Sequence, residues 1–157
     1  MKKIKIRTDE AMVLYNILNN SRYGKLDDAD KVKVWKIARK LKPVADKFED
    51  ESKDAAEKMK PTDDFAERLQ KAQEYERLVK DQNADAQKLP MGPSEYGDFI
   101  KEFQEYNRLV GDAVKEFAEK EVEIDFEPVT EETFGKLMAS NEWTMDQAVQ
   151  LGEFLVS

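Results

Sequence analysis

The two ends of the chain carry complementary alternating patterns. Residues 3–7 (KIKIR) alternate basic and apolar side chains, and residues 122–127 (VEIDFE) alternate apolar and acidic ones. A period of two is typical of a strand with one buried face, so we expect the two segments to pair in one small sheet. Each charge pair across such a sheet stabilises it by up to about 1 kcal/mol. The pairing brings three cations opposite three carboxylates: Lys3, Lys5 and Arg7 opposite Glu123, Asp125 and Glu127.

Between these segments the apolar residues recur at helical spacing, which predicts four helices. Thr8 is the expected cap of the first, which runs to about Asn20. The second begins near residues 27–30, bends at Pro43 and stops before Pro61. The third opens with Asp64 and Glu67 in capping-box spacing, buries Phe65, Leu69, Ala72 and Val79, and ends near Asn83. Residues 84–94 are the predicted loop, and Ser94 is the expected cap of the fourth helix.

Two short helices are expected after the second strand. Thr130 and Thr144 are the predicted caps of helices over 131–139 and 145–156, and Phe134, Leu137 and Met138 are the expected inward side of the first. The predicted fold class is therefore α+β and mostly α: a bundle of long antiparallel helices, a small sheet joining 3–7 to 122–127, and two short helices. A chain of 157 residues is near the usual size of one domain, so we predict a single domain.

Composition excludes most familiar catalytic sites. The chain has no cysteine and no histidine, which removes thiolate metal sites and the commonest general base. The net charge of −8 is spread unevenly, at +5 for residues 1–60, −5 for 61–120 and −8 for 121–157. Excess acid repels nucleic acid and anionic membranes, and no apolar run approaches about 18 residues. We expect a cytoplasmic protein that needs no cofactor and does not bind nucleic acid or membranes.

Three sets of residues are candidate sites. On the second helix, Lys31, Trp35, Arg39 and Lys42 form a basic stripe around a tryptophan, suited to gripping a partner. The simpler interpretation, which the sequence favours, is that Trp35 packs under a neighbouring segment while the charges stay hydrated. The carboxylates that could hold magnesium, as in all-helical nucleotide pyrophosphohydrolases, are Glu102, Glu105, Glu116 and Glu119. Solvated helix faces explain their spacing equally well.

The third set is acidic. The two closing helices have helix-turn-helix lengths but no cation where a DNA-reading helix needs one, so DNA recognition there is not expected. Their acidic surface could instead imitate DNA phosphates: Glu121, Glu131, Glu132, Glu142, Asp146 and Glu153.

Residues 73–81 and 104–112 echo one another at an offset of 31 positions. Two copies are too few for a repeat array, so either a duplication or two helices with similar faces explains them.

The order of segments resembles a family of small uncharacterised proteins encoded by tailed phages and prophages. The resemblance is most specific at residues 121–129, where an acidic strand ends in a proline. It implies a mobile-element origin and a two-strand, long-helix architecture, and it carries no catalytic residues. The matching segments are KIKIRTDEAMVLYNIL, VKVWKIARKLKPVADKFEDE, FQEYNRL, EVEIDFEPVTEETF and WTMDQAVQLGEFLV.

The functional expectation is a non-catalytic phage or prophage protein of the bacterial cytoplasm that binds one protein partner, of the phage or the host, through a helical surface. Two alternatives stay open: an acidic DNA mimic that inhibits a nuclease or other defence protein of the host, and a magnesium-dependent nucleotide pyrophosphohydrolase.

Overall fold

The computed structural model describes residues 1–81 and 88–157 and confirms the predicted fold class. The described part is mostly helical, with one two-stranded antiparallel sheet. In chain order the elements are β1 (Lys2–Arg7), α1 (Thr8–Asn19), α2 (Asp28–Lys58), α3 (Phe65–Lys80), α4 (Pro93–Glu119), β2 (Glu121–Phe126), α5 (Glu131–Ser140) and α6 (Met145–Leu155).

The chain divides into two compact units, one of Met1–Glu51 with Glu116–Ser157 and one of Ser52–Lys115. Both boundaries fall inside continuous helices, α2 and α4. The single domain over 1–157 therefore stays a prediction, because compact units that share helices can still unfold together. Of the predicted loop at 84–94, residues 84–87 lie outside the described residues, as does Asn83. Residues 89–92 lie outside the helices, and 93 and 94 belong to α4.

The predicted pairing of the two alternating segments is confirmed. β1 and β2 run antiparallel, with Ile4 opposite Ile124 and Ile6 opposite Val122. Alternation turns Ile6 and Ile124 into the core. The sheet thereby joins residues more than a hundred positions apart, and it closes the first unit.

The charge pairing across the sheet differs from the prediction at one of the three carboxylates. The cross-strand neighbours of Lys3, Lys5 and Arg7 are Asp125, Glu123 and Glu121. Glu127 lies past the end of β2, where Lys33 of α2 contacts it at 3.3 Å. Asp125 is bound by Lys40 of α2 at 2.9 Å, while Lys3 contacts Glu123 at 2.7 Å. Glu123 and Asp125 lie opposite β1 as predicted, and the prediction was wrong on Glu127, because Glu121 takes the place opposite Arg7.

Hydrogen bonds between distant segments fix both closing helices to the rest of the first unit. The Lys2 ammonium donates to the last-turn carbonyls of Glu153, Phe154 and Val156 at 2.6, 3.1 and 2.6 Å. A cation there complements the negative end of the α6 dipole. Asn141 mimics a backbone unit, since its side chain accepts from the Arg22 N–H at 2.7 Å and donates to the Arg22 carbonyl at 3.0 Å.

The predicted caps succeed at the last two helices and fail at three earlier ones. Thr130 and Thr144 accept from the N–H groups of Thr133 and Gln147, as predicted. Thr8 instead lies inside α1, and its hydroxyl donates to the Lys120 carbonyl at 2.7 Å. α4 begins at Pro93, before the predicted cap Ser94, because proline is well suited to the first helical position. The Asp64 carboxylate accepts from the Thr62 hydroxyl at 2.6 Å rather than from the helix.

The second unit has its own core. Phe65 and Ala72 of α3 pack with Met91 and Phe99. Beside Phe99, Arg68 donates to Glu102 at 3.1 Å in a pair whose side chains are each 29% exposed. Two expected core residues are on the surface instead: Val79 is 56% exposed on α3, and Met138 of α5, in the first unit, is 43% exposed. Val79 lies near the end of α3, beyond its last buried residue Ala72, and Met138 lies beside Leu137 at the edge of the buried stripe of α5.

The sheet provides the first test of this fold. Replacing Ile124 with Asp places a charge without a partner in the core and should cost about 4 kcal/mol. The control Lys5→Glu, on the exposed face of the same sheet, should cost about 1 kcal/mol or less. Urea unfolding followed by tryptophan fluorescence measures both, since Trp35 and Trp143 lie in the first unit. Equal costs for the two variants would contradict the assigned faces.

Candidate partner-binding groove

The phase of α2 decides which residues it exposes. Val34, Ile37 and Leu41 are at most 2% exposed and form its core stripe. Trp35 follows Val34 by one residue and is therefore turned about 100° away from the core. Its side chain is 54% exposed. The favoured prediction that Trp35 packs under a neighbouring segment is wrong, because more than half of the residue stays exposed.

Beside α2, residues of α1 form the second wall of a groove of about 400 Å³. We call it the Trp35 groove. It brings together all four predicted residues of the basic stripe. The residues that line it are Tyr15, Leu18, Asn19, Tyr23, Lys31, Val34, Trp35, Ala38, Arg39 and Lys42.

Sequence reasoning missed the two tyrosines of the groove. Tyr15 is half-buried on α1. Tyr23, in the connection between α1 and α2, donates its hydroxyl hydrogen bond to the Leu18 carbonyl. Burial raises the pKa of Tyr23 to about 12, so it stays neutral across the physiological range. Both tyrosines lie within eight residues of the turn between α1 and α2. This position is the sequence signal that could have placed them beside α2.

Cations lie against aromatic rings within the groove. The Arg39 guanidinium is 4.6 Å from the centroid of the Trp35 ring, and the Lys42 ammonium is 6.0 Å from that of Tyr15. Such contacts stabilise by about 0.5–1 kcal/mol at exposed sites. Lys42 also donates to Asp46 at 2.7 Å, and this hydrogen bond raises the pKa of Lys42. The guanidinium contact holds the indole in place while leaving most of its surface in water.

The electrostatics of the groove differ from those of the whole protein. Its lining holds three cations and no carboxylate, although the chain has a net charge of −8. Lys42 is paired with Asp46, whereas Lys31 and Arg39 have no ion pair with any carboxylate in residues 1–81 and 88–157. The groove is therefore a locally positive, aromatic site on an acidic protein.

The six residues of the predicted DNA-mimic surface lie in different surroundings. Glu131 and Glu153 line a cavity of about 670 Å³ together with Lys2. Glu142 lines another, of about 710 Å³, with Arg22. Glu132 has Lys136 at 3.7 Å, and Glu121 stands opposite Arg7 in the sheet. Asp146 lies exposed in the first turn of α6.

Two of the four predicted magnesium carboxylates have other partners. Glu102 is bound by Arg68, and Glu105 by Arg108 at 3.0 Å. The hydrogen bond from Arg108 lowers the pKa of Glu105. The described residues contain no group of three acidic side chains able to hold a metal ion. Glu102 and Glu105 lie in the second unit and Glu116 and Glu119 in the first, and a magnesium site built from all four stays a prediction.

The internal echo produces the same local contact twice. Arg77 donates to Glu74 at 3.0 Å in α3, and Arg108 donates to Glu105 at 3.0 Å in α4. Pairs three residues apart on a helix form readily whatever the ancestry of the sequence. Duplication therefore stays a prediction.

Comparisons of the chain with protein-family models, with curated proteins and with solved structures find no match in any of the three. No helix in the described ranges combines the length and the apolar character needed to cross a membrane.

The two tryptophans should respond differently to truncation. Trp143 donates to the Ser21 hydroxyl at 3.1 Å and packs 5.9 Å from Phe134, so Trp143→Ala should cost about 3 kcal/mol of unfolding free energy. Trp35→Ala should cost less than about 1 kcal/mol, because most of the indole is already hydrated. Urea unfolding followed by circular dichroism measures both. Equal costs would mean that Trp35 is part of the core.

Proposed function

We propose that this protein is a non-catalytic binding protein that engages one protein partner through the Trp35 groove. In keeping with the resemblance to phage and prophage proteins, we place it in the cytoplasm of a bacterial host. The observation that carries the proposal is a tryptophan 54% exposed between cations, in a groove without a carboxylate.

The residue types of the groove favour protein binding. Tryptophan, tyrosine and arginine are the side chains that dominate binding energy at protein interfaces. Here Trp35, Tyr15 and Arg39 lie within one groove and are held by cation–π contacts and helix packing before any partner arrives. Side chains that are already ordered lose less conformational entropy on binding. Leaving a large aromatic ring in water brings the free protein no stability, which is consistent with a role in binding.

The charge distribution disfavours the DNA-mimic alternative. Three carboxylates at the start of the acidic region are already paired, Glu123 with Lys3, Asp125 with Lys40 and Glu127 with Lys33. Paired carboxylates present less field to a partner than free ones. The hydrolase alternative is disfavoured because Glu102 and Glu105 already form ion pairs with arginines.

The proposal predicts capture of a partner that depends on Trp35. The immobilised protein is incubated with bacterial lysate at about 50 and 200 mM salt, alongside Trp35→Ala and the control Met145→Ala, which removes a side chain 77% exposed on α6. We expect one protein that wild type and Met145→Ala retain and Trp35→Ala loses, because truncating a central aromatic anchor costs about 2 kcal/mol or more.

Salt separates the alternatives in the same experiment. A partner held at the groove should be retained at both salt concentrations. A partner built to grip DNA phosphates should instead lose about tenfold or more in affinity at the higher one. Capture that is equal for the wild type and Trp35→Ala, and that falls strongly at the higher salt concentration, would contradict the proposal and favour the DNA mimic.

A further inference from the structure

We propose that the Trp35 groove binds an acidic amphipathic helix of the partner. This inference rests on the proposed function and on the geometry of the groove. The helix places one large apolar side chain against Trp35 and presents carboxylates to Lys31 and Arg39. This assigns a chemistry to the partner's contact segment.

The spacing of the cations matches a helical ligand. Lys31, Arg39 and Lys42 lie eight and three residues apart on a continuous stripe of α2. The eleven residues from Lys31 to Lys42 rise about 16 Å, which is three helical turns. A partner helix laid along α2 presents carboxylates at the same intervals on one of its own faces.

The groove offers an extended peptide little to bind. Its walls are α1, α2 and the connection at Tyr23, and it contains no strand edge. A peptide that adds to a sheet gains its affinity from main-chain hydrogen bonds. Helical walls have already used their backbone groups, so a ligand that bonds its own backbone internally fits better. Side chains then provide the contact with Tyr15, Trp35 and Ala38, which are partly or largely exposed apolar and aromatic residues of the lining.

Charge complementarity specifies the acidic residues. Lys31 and Arg39 have no carboxylate partner in the described ranges, and Arg39 already stacks on Trp35. A carboxylate from the partner completes an arginine–carboxylate pair beside a ring that shields it from water. The net charge of the protein, −8, repels acidic ligands at a distance, so the apolar anchor is needed as well as the carboxylates.

A peptide-display selection tests the chemistry directly. A library of random 16-residue peptides is selected on the wild-type protein after depletion on Trp35→Ala. We expect the enriched peptides to share at least two Asp or Glu residues and one large apolar residue at helical spacing. Enrichment of basic or neutral peptides, or no enrichment over the depleted library, would overturn the inference.

Titration of an enriched peptide supplies matched controls on one helix. We expect binding about tenfold weaker or more for Trp35→Ala and about fivefold weaker or more for Arg39→Glu. Lys36→Glu makes the same change on an exposed residue of α2 outside the groove and should alter affinity by less than about twofold. Equal loss from Arg39→Glu and Lys36→Glu would mean that only overall charge matters, which contradicts a specific groove.

Two other occupants are tested with the same protein. A second copy of this chain would use the acidic residues 121–157, so light scattering that shows an oligomer dissolved by Trp35→Ala would overturn the inference. Binding of a ten-nucleotide single-stranded DNA that depends on Trp35 would also overturn it.

Capture from lysate that depends on Trp35, together with enrichment of non-acidic peptides, would contradict this inference alone. If neither the capture from lysate nor the peptide selection depended on Trp35, the proposed function would be contradicted as well.

Discussion

The buried stripe of α2 fixes the position of every other functional feature in the first unit. Val34, Ile37 and Leu41 are in the core, and burying such side chains contributes about 1.5–3 kcal/mol each. Because the helix cannot rotate without exposing them, its other faces are set. One face carries Lys33 and Lys40 to the carboxylates around β2, and the other presents the Trp35 stripe to the groove.

This division explains how an acidic protein keeps a positive groove. The carboxylates in and just after β2 are contacted by lysines of β1 and of one face of α2, in exposed pairs that stabilise the fold little. Their main effect is on the distribution of charge. The negative charge of residues 121–157 is partly neutralised there, while the groove on the other face of α2 contains no carboxylate in its lining.

The sequence predicts the features that depend on local pattern. Alternation located both strands, and cap chemistry located α5 and α6, because each signal involves neighbouring residues. It fails where a distant segment decides. Thr8 has a cap's chemistry but bonds the Lys120 carbonyl, and Asp125 is bound by Lys40 rather than by β1. The exposure of Trp35 follows from the phase of α2, yet whether another segment would cover it depended on the whole fold.

The central claim is that Trp35 lies exposed in a positive field on a negatively charged protein. Collisional quenching of Trp143→Phe, in which Trp35 is the one remaining tryptophan, measures that field without any partner. Relative to free tryptophan amide, we expect anionic iodide to quench at least about threefold more effectively than cationic caesium, because cations surround the ring. Caesium quenching that equals or exceeds that of iodide would contradict the account.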